Sequence, residues 1–568
     1  MAGRVEHAQG GAVEQHTPGT KAAARLVASF DGLGTGFEGP QGTGRADNPS
    51  DNSLAVGPDH IVQIVNRLGM AVYTKKGERY DTTGRVLYGP VAVNDVFRGF
   101  GGDCEARNSG DAVVRYDQLA GRWLFVMPMF SRYPYRPDQP KPFTPEDGAR
   151  ESVVGVAGQP GPAATLYRPP APRPSDAAGR GRTTEAGRRN AGSGAGGRRE
   201  GAGAARRGSA TVDSAQAADA PRGVWAICYA ISVGPDPLGA YYRYEFLRPF
   251  FPDFPRPAVW PDGYYVPTST GDDPISDSIA TQRHACVVDR RAMLRGEPAT
   301  EQCIILNNVN FLNDADIDGQ GLPPAGAPNL VMANRGSRVG GVFEDSVIDV
   351  WRYHVDWKDP SKTMLTGPTA IPVAPYRFLC EGERFCVPQR GTDRVLGQPG
   401  DKIMQRLVYR RFADHTSILA VQSVHTEEGG GGVRWYELRV DEETGAVSLH
   451  QQGTYLGDGS YRWLPSGTID KFGNIGIGYS FGGSGRFPGQ RFTGREPGDP
   501  PGELTFQETV LAEGGAAQTT TSRWEDYTTA ALDPTDDCTV WYVGDFLKKG
   551  ATAYSTKIGA FRMPGCGQ

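Results

Sequence analysis

Three aspartates at alternate positions, Asp314, Asp316 and Asp318 in the run DADIDG, are followed by Gly319. Carboxylates so spaced, ahead of a residue that lets the chain turn, can gather the hard oxygen ligands of calcium, so a calcium-stabilised surface loop is expected here. It is not an EF-hand, because position 12 counted from Asp314 is Ala325 instead of Glu and PPAG follows in place of a helix. The competing expectation is a loop held by Asx turns without metal. A second set of residues suits glycoside hydrolysis, which uses two carboxylates about 5–10 Å apart. Asp414, Glu525 and Asp526, with Glu344 and Asp345, lie on aromatic-flanked segments. A sialidase-type site also needs guanidinium groups, which match a substrate carboxylate bidentately. Arg115, Arg410, Arg411, Arg434, Arg462 and Arg523 are available, and a nucleophilic tyrosine has candidates in Tyr409, Tyr436 and Tyr527. The expected catalytic set is Asp414, Glu525, Asp526, Arg434 and Tyr436. With 60 Lys and Arg and 23 Tyr in the chain, such a set can also be assembled by chance.

Other chemistries find less support. His415 adjoins Asp414 and His425 follows, but the eight histidines form no HxH or HExxH pattern for zinc. GGSGRFPG at 482–489 lacks the Lys-Ser/Thr ending of a phosphate loop, and no G-x-S-x-G elbow has a matching partner set.

The elements that must position these groups are strands. Of 568 residues 77 are Gly and 44 are Pro, while 10% are aromatic, a balance that reads as many turns in a folded body. The longest apolar runs, such as SILAVQSV at 417–424, fall far short of the roughly 20 residues of a membrane-spanning helix, so no span is expected. Residues 1–45 read as a flexible leader, and residues 145–221, rich in Gly, Ala, Arg and Pro, as a disordered insertion. Nine arginines between Arg173 and Arg207 make that stretch basic, yet without interleaved aromatics it is no nucleic-acid footprint, and the net charge of the chain is −5.

Across 46–568 a theme recurs: a short apolar strand, a turn carrying Asp, then a strand rich in aromatic and β-branched residues. The turn aspartates are Asp59, Asp117, Asp262, Asp414, Asp470 and Asp533, and most spacings are about 60 residues once the insertion is subtracted. An Asp side chain can hold such a turn through backbone N–H groups, so these six are expected to be structural. Repeated hairpins at this period with almost no helical periodicity point to an all-β fold, a β-propeller of six or seven four-stranded blades in which the first and last segments share one closing blade. Two β-sandwich domains are the competing layout.

The eight cysteines are even in number, scattered and without a CxxC pair, which points to disulfides in an oxidising compartment. Cys380 with Cys386 suits a short loop and Cys538 with Cys566 a C-terminal staple; the remaining connectivity stays open. The start of the chain shows no apolar run of the signal-peptide kind and there is no N-x-[ST] sequon, while the cysteines favour an extracellular or periplasmic location.

Segments such as DNSLAVGPDHIVQIVN, PAVWPDGYYV, DADIDGQGLPPAGAPN, TIDKFGNIGIGYS and RWEDYTTAALDPTDDCTVWYV are spread over most of 48–566. They resemble a group of largely uncharacterised exported β-propeller proteins with sialidase-like labels. The similarity implies the propeller fold and export. Together these features lead to the expectation of a monomeric, extracellular scaffold that binds a glycan or a protein. The alternative is a sialidase-like glycoside hydrolase acting on extracellular glycans.

Overall fold

A computed structural model describes residues 13–66, 69–130, 153–155, 225–248, 251–269, 282–307, 309–335, 346–400 and 402–566. The chain is all-β, 50% strand and 5% helical, in a β-propeller-like arrangement of four blades. Its inner strands are buried on both faces, as in Thr416–His425, where only the last residue is less than fully buried. Sheets packed face to face on both sides require this, and it explains why the strands read as nearly continuous apolar runs instead of alternating ones.

Most sheets grow outward from one short first strand. Seven such first strands can be followed: β1 (Ser53–Val56), β2 (Val113–Asp117), β3 (Ala258–Val259), β4 (Asn313–Ile317), β5 (Leu407–Arg411), β6 (Tyr461–Ile469) and β7 (Thr529–Leu532). From β1 an antiparallel meander runs through His60–Val65 and Gly69–Thr74 to Val86–Val91, and from β2 another runs through Arg122–Met129 and Trp225–Ser232 to Tyr241–Arg248. The β3 sheet adds Tyr264–Tyr265, Gln282–Val288 and Glu301–Asn307. Meanders from β4, β5 and β6 are joined into one sixteen-stranded sheet, in part by parallel pairing of β4 with β5, Ala315 lying opposite Leu407. First strands pack on one another in order: β1 on β2, β3 on β4, β4 on β5, β5 on β6, β6 on β7, and β7 back on β1.

The sheet begun by β7 continues through Thr539–Phe546 and Ser555–Arg562, and its outermost strand is Arg25–Gly34 from the other end of the chain. The expected shared closing blade is therefore present. The expected leader over 1–45 needs correction, since a ten-residue strand inside it closes a sheet. Its first seven residues are exposed or half-buried, as an outermost strand open to solvent allows. The expected insertion at 145–221 lies outside the described residues apart from Val153–Gly155, a short strand paired with Glu301–Cys303.

All eight cysteines are paired, as Cys104–Cys228, Cys286–Cys303, Cys380–Cys386 and Cys538–Cys566. The short loop and the C-terminal staple are both as expected, and four disulfides are consistent with an extracellular protein. Among the described residues no helix is long and apolar enough to cross a membrane.

Three of the six turn aspartates hold their turns through backbone N–H groups, whereas Asp414 is exposed with its side chain against His415. Asp117 accepts from the backbone N–H of Leu119 and Ala120, Asp470 from those of Phe472 and Asn474, and Asp533 from that of Thr535. Asp117, Asp262, Asp470 and Asp533 stand at or just beyond the ends of β2, β3, β6 and β7. Neighbouring first strands run in the same direction where β4 pairs with β5. Each of these aspartates thus lies at the far end of its own first strand, and the residues just before that strand lie at the other end.

Candidate functional site

At the starting end four aspartates precede four first strands: Asp51 before β1, Asp111 before β2, Asp253 before β3 and Asp526 before β7. The backbone brings them together, because Asp51 N donates to Glu525 O at 2.8 Å and Asn52 N to Tyr527 O at 3.2 Å. The ring of Phe254, next to Asp253, packs edge-on against that of Tyr527 with centroids 4.8 Å apart. Asp51, Asp111, Phe254, Glu525 and Asp526 all have φ between 48° and 64°, the left-handed region. Non-glycine residues in that region carry a local strain of about 1–3 kcal/mol each, and such strain concentrates at functional sites.

Asp51 is buried, at 1% exposure, whereas Asp111, Asp253 and Asp526 keep an edge toward solvent. The Asp111 carboxyl lies within hydrogen-bonding reach of both Asp51 and Asp253. Burial, and then the charge of Asp111, push the Asp51 and Asp253 carboxyls well above the usual carboxylate range. Neither oxygen of Asp51 receives a hydrogen bond from a protein donor, so the carboxyls meet without a bridging group unless one of them carries a proton. Arg523 pairs with Asp526, its Nε 3.2 Å from Oδ1. The Tyr527 hydroxyl is buried and has no hydrogen-bond partner among the described residues. Burial, together with the charges of Asp51, Asp111, Asp526 and Asp253, holds its ionisation far above that of a free phenol.

A cationic half adjoins the acidic one. The rings of Phe254 and Phe311 meet edge-on at 5.6 Å, and Arg256 lies 5.1 Å from the first and 4.9 Å from the second. Arg283 lies 4.5 Å, and the Lys402 ammonium 4.2 Å, from the Phe311 centroid. The Arg256 guanidinium is buried and makes no hydrogen bond; burial first, and then the like charge of Arg283, push it down to about 9. The mouth is therefore bipolar. It can accept hydrogen bonds from hydroxyls, hold a cation on its acidic side, or clamp an anion on the other.

Farther along the axis the charges are closed off. Arg406 Nε binds Asp316 Oδ2 at 2.6 Å and its Nη2 binds Asp318 Oδ1 at 2.6 Å. Val259 N donates to Asp316 at 2.8 Å and Thr468 Oγ1 to Asp318 at 2.5 Å. Arg115, pushed down to about 10 by burial, adds a second guanidinium 3.6 Å from Asp316. The cavity these groups line, about 20 Å³, has room for roughly one water.

The metal expectation at Asp314, Asp316 and Asp318 changes accordingly. Asp314 and Asp316 lie not in a surface loop but in the buried strand β4, where alternation places both on one side, and the buried Asp318 follows directly after its end. Asp316 and Asp318 have arginines as counter-charges. Asp314 has no hydrogen-bond partner and is pushed well upward by burial, with Arg256 acting the other way.

The expected catalytic set does not converge either. Asp414 is 83% exposed at a hairpin tip, held by His415 Nδ1 at 2.8 Å. Glu525 turns away from the mouth and accepts from Ser480 Oγ, Gln490 Nε2 and the Asp545 backbone N–H. Arg434 and Tyr436 sit on Gly431–Val440, the third strand outward from the axis, where Arg434 donates to Thr454 and to Ala374 O and Tyr436 accepts from Gln422 at 2.9 Å. Tyr436 is pushed up to about 12 by burial. Asp526 alone of the five stands at the mouth, joined there by Tyr527 and Arg523 from the wider list. Arg410, Arg411 and Arg462 are paired elsewhere, with Asp537, Glu442, and Asp458 and Glu508. Glu344 and Asp345 lie outside the described residues.

Asp51, Asp111 and Asp253 escape a search for spaced motifs, although the repeat marks them. Each lies a short way ahead of the turn aspartate of its own unit: Asp51 before Asp59, Asp111 before Asp117, Asp253 before Asp262, as Asp526 lies before Asp533.

Three tight groupings of cysteine and carboxylate occur among the described residues, at Cys104, Cys228 and Glu245; at Cys286, Cys303 and Glu301; and at Cys538, Cys566 and Asp536. Each contains a disulfide, so it offers no thiolate to a metal. No protein-family model matches the chain, and a search of curated proteins finds no match either.

Proposed function

We propose that the protein is an extracellular or periplasmic glycan-binding β-propeller, monomeric and akin to the exported sialidase-like group, with its ligand at the mouth where the first strands begin. The ring is read as seven blades, the three meanders of the large sheet adding to the four blades and the strand Arg25–Gly34 closing the last. The observation that carries the functional reading is the bipolar mouth. Carboxylates of Asp51, Asp111, Asp253 and Asp526 can accept hydrogen bonds from sugar hydroxyls, Phe311 offers a partly exposed ring, and Arg256, Arg283 and Lys402 suit an acidic substituent.

Glycoside hydrolysis is the second reading, favoured by Tyr527, a tyrosine among carboxylates with Arg256 and Arg523 on the same mouth. A glycan array probed with the full chain tests the first reading. Retention of acidic glycans by the wild type, lost at least tenfold in Arg256→Met, is expected; retention of none refutes it. Release of sugar from defined glycans by the wild type, abolished in Tyr527→Phe, would replace the binding reading with the hydrolytic one.

A further inference from the structure

We propose that the Cys380–Cys386 disulfide is a thiol-exchange site, at which a low-molecular-weight thiol attacks Cys386 and opens a loop that steadies one side of the mouth. The sulfur of the incoming thiolate bonds to Cys386 Sγ as the bond between Cys380 and Cys386 breaks, and Cys380 leaves as a thiolate that takes a proton from water. The thiol sulfur is thereby oxidised and Cys380 reduced. Nothing in this requires a sugar, so it goes beyond the glycan reading.

Four observations set this pair apart from the other three. Of the eight cysteines Cys386 alone is only half-buried, the rest being at most 9% exposed. Each of the other disulfides has a carboxylate oxygen within 4.8 Å of both sulfurs, from Glu245, Glu301 or Asp536, and no such group forms at Cys380 and Cys386 among the described residues. A carboxylate that close, when ionised, repels both the attacking thiolate and the one that leaves, and so slows exchange. The pair spans 6 residues along the chain, against 17, 28 and 124 for the others, and the shortest loop restricts the unfolded chain least, so opening it sacrifices the least stability. Inside the loop Cys380 and Glu381 have φ of 59° and 52°. Non-glycine residues held in the left-handed region carry strain, which opening the loop relieves.

The loop is the root of a hairpin that supports the mouth. Cys386 lies on Phe385–Gln389, which pairs with Thr392–Gly397. Gln389 accepts from Gln518 N at 2.8 Å and donates to Gln518 O at 3.1 Å, and Gly397 N donates to Ser522 O at 2.7 Å. Gln518 in turn donates to Arg523 O at 2.5 Å, and Arg523 is bonded to Asp526. At the root Cys380 O accepts from Glu383 N at 2.8 Å, and Glu383 O accepts from Gln398 Nε2 at 2.6 Å. The segment that brings Arg523 and Asp526 to the mouth therefore rests on a hairpin tied at its base by this disulfide, and opening the tie loosens that support.

The test uses the full chain in native buffer without any glycan. It is incubated with increasing reduced glutathione, quenched with iodoacetamide and mapped by peptide mass spectrometry, while amide hydrogen exchange is followed in parallel. A glutathione adduct on Cys386 beside an alkylated Cys380 is expected at a thiol concentration at least tenfold below that which opens any other pair. Exchange over 518–526 should then rise several-fold while that of Arg122–Met129 stays unchanged. Cys380→Ser should take up glutathione from its oxidised form, at Cys386, at least tenfold faster than Cys386→Ser does at Cys380. Near-UV circular dichroism checks the fold of both variants, and if either does not fold, the position of the adduct in the wild type decides. Earlier opening of another disulfide, an adduct on Cys380, or unchanged exchange over 518–526 once Cys386 carries its adduct overturns the proposal.

Discussion

Two groups of buried carboxylates share the axis of the ring, and they are treated in opposite ways. Around Asp316 and Asp318 the negative charges meet guanidinium nitrogens at 2.6 Å, a hydroxyl and a backbone N–H, within a cavity of about 20 Å³. Around Asp51 and Asp111 carboxyl meets carboxyl, and a tyrosine hydroxyl points in without a partner. Both regions are built from the same repeating unit, one from within a first strand and the other from the residues just before one. Burial alone therefore does not mark function here, since Asp316 and Asp318 are buried like Asp51 yet have arginine partners, while neither oxygen of Asp51 has a donor among the described residues.

The comparison breaks most visibly at Arg406. Replacing a buried cation leaves its partners as uncompensated buried charges, so Arg406→Ala should cost about 3–5 kcal/mol, read from the shift of the denaturant midpoint. Asp51→Asn, as deeply buried, should do the reverse and raise the midpoint, since it removes a carboxylate pressed against another. If both substitutions destabilise alike, the mouth is an ordinary piece of core and the contrast falls.

A smaller effect comes from behind the mouth, where Glu525 and Asp545 lie together. Burial pushes Asp545 up to about 7 against the opposing hydrogen bonds of Asn52 and Ser50. An unfolded aspartate titrates near 3.9, so between these values the folded state holds a proton that the unfolded chain has released. The stability from this group is complete below about pH 4 and is lost as pH rises through about 7. Relative to the wild type, Asp545→Asn should therefore grow more stable from pH 5 to pH 7.5 in parallel denaturant titrations. A constant difference across that window would place Asp545 among the satisfied interior groups instead.

Much of the ring was legible in the amino-acid sequence, because a turn aspartate and its hairpin are local: Asp117, Asp470 and Asp533 bind backbone a few residues away. The shared closing sheet was legible at its C-terminal side from TKIGAFRM, whereas its partner strand in RLVASFDGLG lies within a Gly-rich, polar stretch and is open to solvent over its first seven residues. The charges on the axis were misread for a related reason. DADIDG has the spacing of a metal loop, and what makes it a strand with arginine counter-charges is Arg406, which comes from another repeat and lies 88 residues from Asp318 along the chain. Asp51, Asp111 and Asp253 each look unremarkable alone, and their meeting depends on ring closure, which no local pattern expresses.

Asp414 offers the smallest effect and the sharpest control. It has the same place in its unit as Asp117 and Asp470, yet its side chain is 83% exposed and its partner among the described residues is the neighbouring His415. Asp117, by contrast, is buried and takes Arg290 at 2.7 Å and Tyr264 at 2.7 Å besides its backbone donors. Asp414→Asn should leave the unfolding midpoint and glycan retention at wild-type values, because an exposed carboxylate at a hairpin tip is solvated equally well in the folded and unfolded chain. Loss of glycan retention in that variant, with the midpoint unchanged, would move the ligand site to the opposite end of the axis. There the turn aspartates would have to be read as the functional ring and the buried mouth as its structural counterpart.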